Sequence, residues 1–351
     1  MKALIFKSFY QFSKVFLLAF LFFLSSCEEE QVPNNIPEEI WNRAELESDY
    51  EEENYKWGYI DKKGKTVIAA KYDDCRDFSE GLAVVRFVKL WGFIDKKGKE
   101  VIPTIYKATW SFHEGLARVQ NFDNKVGFIN KKGEPVVALQ YKSARNFSEG
   151  LAVFEEEGRF GYLNLQGKVA IKPVFEKALD FENGYAKVKF NGLFGLIDKT
   201  GQQAIECEYD RIGGYSEGLI KVKKGKKYGF VDEKGKLVIE YQFDAASDFH
   251  EGLASVTVSG KAGLIDKTGK FKISPKYMQI VYANEGRWLV EEDLKYGYID
   301  AEGSIIVPLE YDQLYALSEG IAGYSLGELW GFIDRDGKKI TQPQFLSLIH
   351  I

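Results

Sequence analysis

Apolar and polar side chains alternate in short runs along most of this chain, as in Trp91-Gly92-Phe93-Ile94-Asp95 and Leu82-Ala83-Val84-Val85. Runs of that length and period, bounded by Gly and Asp, predict β-strands. Three kinds of run recur in a fixed order: a GLAVV type (residues 81–86), a WGFID type (residues 91–95) and a KEVIP type (residues 99–103). Asp95-Lys96-Lys97-Gly98 joins the last two as a tight hairpin turn. Asp hydrogen-bonds the turn backbone there, and Gly supplies the positive φ. A longer corner, such as residues 72–80, carries the chain to the next unit.

The order repeats. An aromatic-Gly pair opens most units: Trp57-Gly58, Trp91-Gly92, Phe160-Gly161, Phe194-Gly195, Tyr228-Gly229, Tyr296-Gly297 and Trp330-Gly331, with Val126-Gly127 and Ala262-Gly263 in the two gaps. Successive glycines stand 34 residues apart, with a single step of 35 from Gly92 to Gly127, which makes nine units. A second glycine column follows six residues later (Gly64, Gly98, Gly133 and onward), and a third precedes the next unit (Gly81, Gly115, Gly150 and onward). A period of about 34 also suits a helical repeat of the tetratricopeptide type. Three glycines at fixed places would cost such a helical array about 1 kcal/mol each relative to alanine, and the alternation is that of strands, so the array is β.

The units KWGYIDKKGK…KYDDCRDFSEGLAVV and LWGFIDKKGKEVIPTIYKATWSFHEGLARV resemble the WG-repeat (KWG-repeat) proteins of bacteria, over about residues 54–346. The resemblance implies a binding or scaffolding surface and defines no catalytic residues to carry over. The fold expected is all-β: tandem three-stranded antiparallel repeats in an open, twisted, solenoid-like array. A closed β-propeller is the alternative. Propeller blades usually have four strands in 40–45 residues, and the two ends of the array do not complement each other as ring closure would want.

Columns that recur in every unit are structural, because an active site needs its residues only once. The Asp column (Asp61, Asp95, Asp198 and onward) lapses to Asn130 and Asn164, so it needs a hydrogen-bond acceptor and no particular charge. The Glu column (Glu80, Glu114, Glu149, Glu217, Glu251, Glu285, Glu319, with Asn183 as the exception) accepts corner N–H groups or binds a cation. One carboxylate per unit falls short of the six to eight oxygens calcium takes, which favours the backbone role. Alanines at 83, 117, 152, 186, 254 and 322, beside the WG glycines, are expected to let neighbouring sheets approach closely. Trp288 breaks that column and is expected to fill the space left at Ala262.

The N-terminus reads as an address. Lys2, Lys7 and Lys14 precede or flank the apolar residues 15–24, a stretch about 15 Å long as a helix, half of a bilayer core. Leu24-Ser25-Ser26-Cys27 resembles the lipobox of bacterial lipoproteins, in which the cysteine is lipidated and becomes the first residue. The division expected is a signal peptide over residues 1–26, an acidic tether over 27–54 and nine repeats over 55–351. Glu28, Glu29 and Glu30 resemble the surface-export signal of lipoproteins in the Bacteroidota; a solvated linker start is the other reading. The protein is therefore expected at the outer membrane, on its periplasmic or cell-surface face.

Charge and composition narrow the function. The stated net charge is -5; without residues 1–26, 44 basic side chains face 52 acidic ones. An acidic chain with dispersed lysines is a poor partner for nucleic acid. The three histidines (His113, His250, His350) have no metal-ligand spacing, and Cys75 and Cys207 lie too far apart in a one-dimensional array to pair. No enzyme, metal or cofactor is expected, with an envelope carbohydrate-active enzyme using paired corner carboxylates, or a purely structural spacer, as alternatives. The function expected is non-catalytic binding of a protein or glycan, with the membrane reached through the lipid anchor alone. Trp110, in a corner where other units carry polar residues such as Asp77, Asn146 or Ser247, is the candidate binding residue; packing on its own corner is the competing role.

Overall fold

The computed structural model describes residues 55–347. The apolar leader, Cys27, the acidic segment before residue 55 and His350 lie outside them. Among the described residues every regular element is a strand, and the strands form tandem antiparallel sheets, none closed into a barrel. The chain divides into two compact units, Met1–Ala186 and Lys187–Ile351.

In the first unit, β1 (Trp57–Ile60) pairs with β2 (Thr66–Tyr72). The next sheet runs in the order β3 (Asp74–Cys75), β4 (Leu82–Phe87), β5 (Leu90–Asp95) and β6 (Glu100–Tyr106). Two further sheets of the same plan lie between residues 108 and 175. In the second unit three such sheets span residues 211–311, and a three-stranded one follows over residues 313–334. The three long strands of each full repeat are those legible in the sequence. The structure adds a fourth, usually two residues long, where the corner pairs with the GLAVV strand, as Cys75 does with Val85.

Register explains the WG glycine. Trp91 pairs with Tyr106 and Phe93 with Ile102, so two steps along β5 match four along β6. β6 therefore bulges, and its backbone crosses directly over Gly92. A Cβ at Gly92 would lie 2.6 Å from the Ile102 carbonyl oxygen and 2.7 Å from the Pro103 carbonyl carbon. The same carbonyl lies 2.4–2.6 Å from a Cβ built at Gly58, Gly127, Gly161, Gly195, Gly229, Gly263 and Gly297. The close approach at these glycines is thus within one sheet, and the packing between neighbouring sheets falls to the alanine column beside them, as Ala83 does against Tyr59, Ile68 and Tyr72. Only at Gly331 does a side chain, Tyr324, take that place, at 2.9 Å.

The bulge also sets what the third strand buries. In β2 only Ile68 and Tyr72 are buried, four residues apart, whereas a flat strand would bury every second one. In the middle strand, adjacent residues Phe93 and Ile94 are both buried, because each faces a different neighbouring sheet. Core clusters accordingly lie between successive repeats: Val84, Phe93 and Ile102 pack with Phe112, Ala117, Val119 and Ile129. One aromatic contact recurs, between the residue after the WG glycine and a corner Phe. Phe93–Phe112 and Phe128–Phe147 have ring centroids 4.9 Å apart in the first unit, and Phe230–Phe249 has 5.0 Å in the second. These tilted or edge-on geometries are the favourable ones for aromatic pairs. The alanine column is buried, and Trp288 is buried in the core cluster that also holds Ala262.

Two glycine substitutions separate steric exclusion from backbone strain. Gly161→Ala puts a Cβ 2.5 Å from the Ile171 carbonyl oxygen, whereas Gly150, at φ +87°, has open space around it. Gly161→Ala is expected to destabilise by about 1–3 kcal/mol and to strip hydrogen-exchange protection from residues 169–175. Gly150→Ala, strained only in φ, is expected to leave that strand protected.

Candidate functional site

The recurring polar columns are consumed by turns. Asp95 Oδ1 accepts the backbone N–H groups of Lys97 at 2.8 Å and Lys99 at 3.0 Å. Those N–H groups hold its carboxyl below the usual range. Asn130 and Asn164 accept the same two N–H groups, so the acceptor matters and the charge does not.

The Glu column does something less local. Ser79 and Leu82 exchange two backbone hydrogen bonds, of 2.9 and 3.1 Å, around Glu80 and Gly81, both in the left-handed region at φ 50° and 92°. That is a two-residue hairpin of the type I′ kind, a place that favours Asn or Gly and not Glu. Yet Glu holds it in seven of eight repeats, at φ 49–54°. The carboxylate reaches one repeat onward and accepts the N–H of the next turn glycine: Glu114 from Gly150 (2.8 Å) and Glu149 from Gly184 (2.9 Å) in the first unit. In the second, Glu217 accepts from Gly252 (2.9 Å) and Glu285 from Gly320 (2.8 Å). Serines beside them do likewise, Ser148 Oγ donating to the Phe181 carbonyl and Ser216 Oγ to that of Phe249. Of the two roles open in the sequence, the backbone role is the one seen. Among the described residues no group of three or more His, Cys, Asp or Glu is placed to hold a metal ion.

The side chains left over are those that differ between repeats. Corner residues pair with the GLAVV strand, Arg76 N–H to the Val84 carbonyl, Trp110 to Arg118 and Arg145 to Val153. In the second unit the same pairs are Ser247 with Ser255 and Tyr315 with Gly323. These two columns therefore lie side by side, and in the first unit they carry three arginines and a tryptophan. The Arg118 guanidinium lies over the Trp110 ring, 3.7 Å from its centroid, and donates through Nη1 to the Ala144 carbonyl. Arg145 Nη2 stands 3.4 Å from Asp180 Oδ2, and Arg76 Nη1 donates to the Thr109 carbonyl at 3.0 Å. Burial, then the guanidinium groups of Arg145 and Arg76, lower the Arg118 pKa to about 10. Burial raises that of Asp180 against the pull of Arg145 and Arg118.

Trp110, the residue singled out in the sequence, is thus half-buried with one ring face against Arg118. Arg118, Arg145 and Asp180 complete the cluster and are not marked by an aromatic break in their columns. The sequence signal for them is a charged break, since Arg118 stands in a column occupied by Val84 and Val153. His113 and His250 sit exposed at the first position of the Glu-Gly turns; His250 stacks on Tyr282 at 4.7 Å, and Tyr282 donates to Glu251 at 2.6 Å. Cys75 and Cys207 are free and half-buried, and burial pushes both thiols up.

Comparison with known proteins gives one sequence match. The sequence model described as WG containing repeat matches residues 57–87, 91–125, 127–159, 160–194, 194–228, 228–261, 263–293, 296–330 and 330–345. No curated protein matches the chain. Similar solved structures include one titled eukaryotic initiation factor, 10% identical with a TM-score of 0.48, covering 85% of this chain and 96% of that one. BamB from Moraxella catarrhalis is 11% identical with a TM-score of 0.34, covering 65% and 80%. The computationally designed Ika8 protein is 12% identical with a TM-score of 0.35, covering 75% and 93%. Likenesses of that level carry no functional argument.

The Glu column has a direct test. In Glu217, burial opposes the charge, but the Gly252 N–H and Lys267 outweigh it and hold the carboxyl below its ordinary range. A lowered folded-state pKa contributes stability that is present above the unfolded value and is lost as pH falls through the folded one. Glu217→Asn is expected to lower stability in urea by about 1 kcal/mol at neutral pH, although Asn suits the left-handed position better. The difference from the parent chain is expected to shrink below the ordinary glutamate range. A variant more stable than the parent at pH 7 would mean that φ alone decides this position.

Proposed function

From a chain that belongs to the family of WG-containing repeat proteins, as the match across residues 57–345 shows, we propose a non-catalytic envelope lipoprotein that binds a protein or glycan through the variable face of its repeats. The observation that carries this is the separation of roles among the side chains. Recurring carboxylates close turns or join neighbouring turns, while the residues that vary, Trp110, Arg118 and Arg145 among them, share one pair of adjacent columns. A scaffold that fixes its backbone with repeated residues leaves those columns to recognition.

The anchor completes the reading. Cys27 carries the lipid, residues 28–54 act as the tether, and the repeats stand at the outer membrane, on its periplasmic or outer face. The acidic balance of the exported part makes nucleic acid a poor partner.

Two measurements test this. Cells given radiolabelled palmitate are expected to label the parent chain; Cys27→Ser is expected to lose the label and the membrane fraction together. The full chain in detergent, screened on a glycan array and against envelope extracts, is expected to give a saturable partner that Trp110→Ala weakens. A blank in both screens would leave a mechanical spacer as the better account.

A further inference from the structure

The charged groups around Arg118 do not balance. Arg145 and Arg76 both act on it, and Asp180 is the one carboxylate acting in its favour. The cluster also holds an unanswered donor: Arg118 Nε is buried and has no hydrogen-bond partner. A buried polar atom in that state costs free energy unless something enters to pair with it. The site is open to such a guest, since Arg76 and Arg145 are exposed on either side of half-buried Arg118. The corresponding corner of the second unit differs. There Lys221 faces Asp248 at 3.4 Å, one cation to one carboxylate, the atom left without a hydrogen bond is an acceptor, Asp248 Oδ1, and Gly213 and Ser247 stand in place of large side chains.

We propose that Arg118, Arg145 and Trp110 form a subsite for an acidic saccharide, with the carboxylate of a uronic acid residue held between the two guanidinium groups. This rests on the reading of the variable face as a binding surface and names what that surface takes. Arginine presents its donors in a planar fork that fits a carboxylate two atoms at a time, which a lysine cannot do. The saccharide is favoured over an acidic peptide by the alternation of rings and guanidinium groups. Trp110 lies against Arg118, and Trp91 lies 5.2 Å from Arg76 and 5.8 Å from Arg86. A linear uronic acid polymer offers the matching alternation of C–H faces and carboxylates along its length.

The test is calorimetric titration of the full chain in detergent with tetragalacturonate, with neutral cellotetraose and with a tetraglutamate peptide. Tetragalacturonate is expected to bind, more weakly as salt rises, and cellotetraose is not. Arg145→Gln, at an exposed position, is expected to weaken binding about tenfold or more, the loss of one charge-assisted pair. The variant should remain folded with a single cooperative thermal transition, and Lys221→Gln should bind as the parent does. Equal binding of cellotetraose, or an Arg145→Gln variant that is folded and undiminished, overturns the subsite. Binding of tetraglutamate alone, dependent on Arg145, overturns the saccharide assignment. No binding of any of the three, while a partner from the envelope screen still depends on Trp110, discards the subsite and leaves the binding face standing. Failure of both screens and titrations discards the two together.

Discussion

A carbonyl oxygen over a glycine Cα is the contact on which the rest of each repeat depends. At Gly92 the Ile102 carbonyl occupies the space of a side chain, and the strand carrying it can come so close only because it bulges. The bulge fixes which of its residues turn inward, Ile68 and Tyr72 in β2. Those residues in turn set where the next sheet can pack, with Ala83, Val85 and Ile94 against Tyr59, Ile68 and Tyr72. A Cβ at the glycine would disturb the inner face of its own sheet and, through it, the seat of the next.

The contact between sheets is apolar at the centre and polar at the corner. Aromatic pairs such as Phe128–Phe147 fill the middle, and carboxylate-to-glycine bonds such as Glu149 to Gly184 tie successive turns together. The corner bond accounts for a residue that is otherwise poorly placed. Glutamate in the left-handed region loses backbone energy, and the charge-assisted bond to the neighbouring turn offsets that loss. Because each such bond joins a repeat to its neighbour in sequence, order is passed along the chain by nearest-neighbour terms.

Function then falls to whatever this scheme does not use. The same two columns hold Arg76 and Val84, Trp110 and Arg118, Arg145 and Val153 in the first unit, and Ser247 and Ser255 in the second, on an unchanged backbone pattern. A repeat scaffold of this kind changes its chemistry from one corner to the next without changing its fold, so the place where charge accumulates is a property of these particular residues.

What the sequence determined alone is what its local spacing records. The period, the three long strands and the Asp turns were legible, because Asp95 meets Lys97 and Lys99, two and four residues away. The fourth strand was not, since two residues such as Asp74 and Cys75 are too few to show alternation. The WG glycine was visible as a column, but its cause was not, because the atom that excludes a side chain there comes from a bulge ten residues later. The Glu column stayed ambiguous for the same reason at longer range: its partner lies about one repeat away, as Gly150 does from Glu114, and only packing brings the two together. The arginine cluster is the extreme case. Arg76, Arg118 and Arg145 come from three successive repeats, and their unbalanced charge exists only once those repeats are stacked.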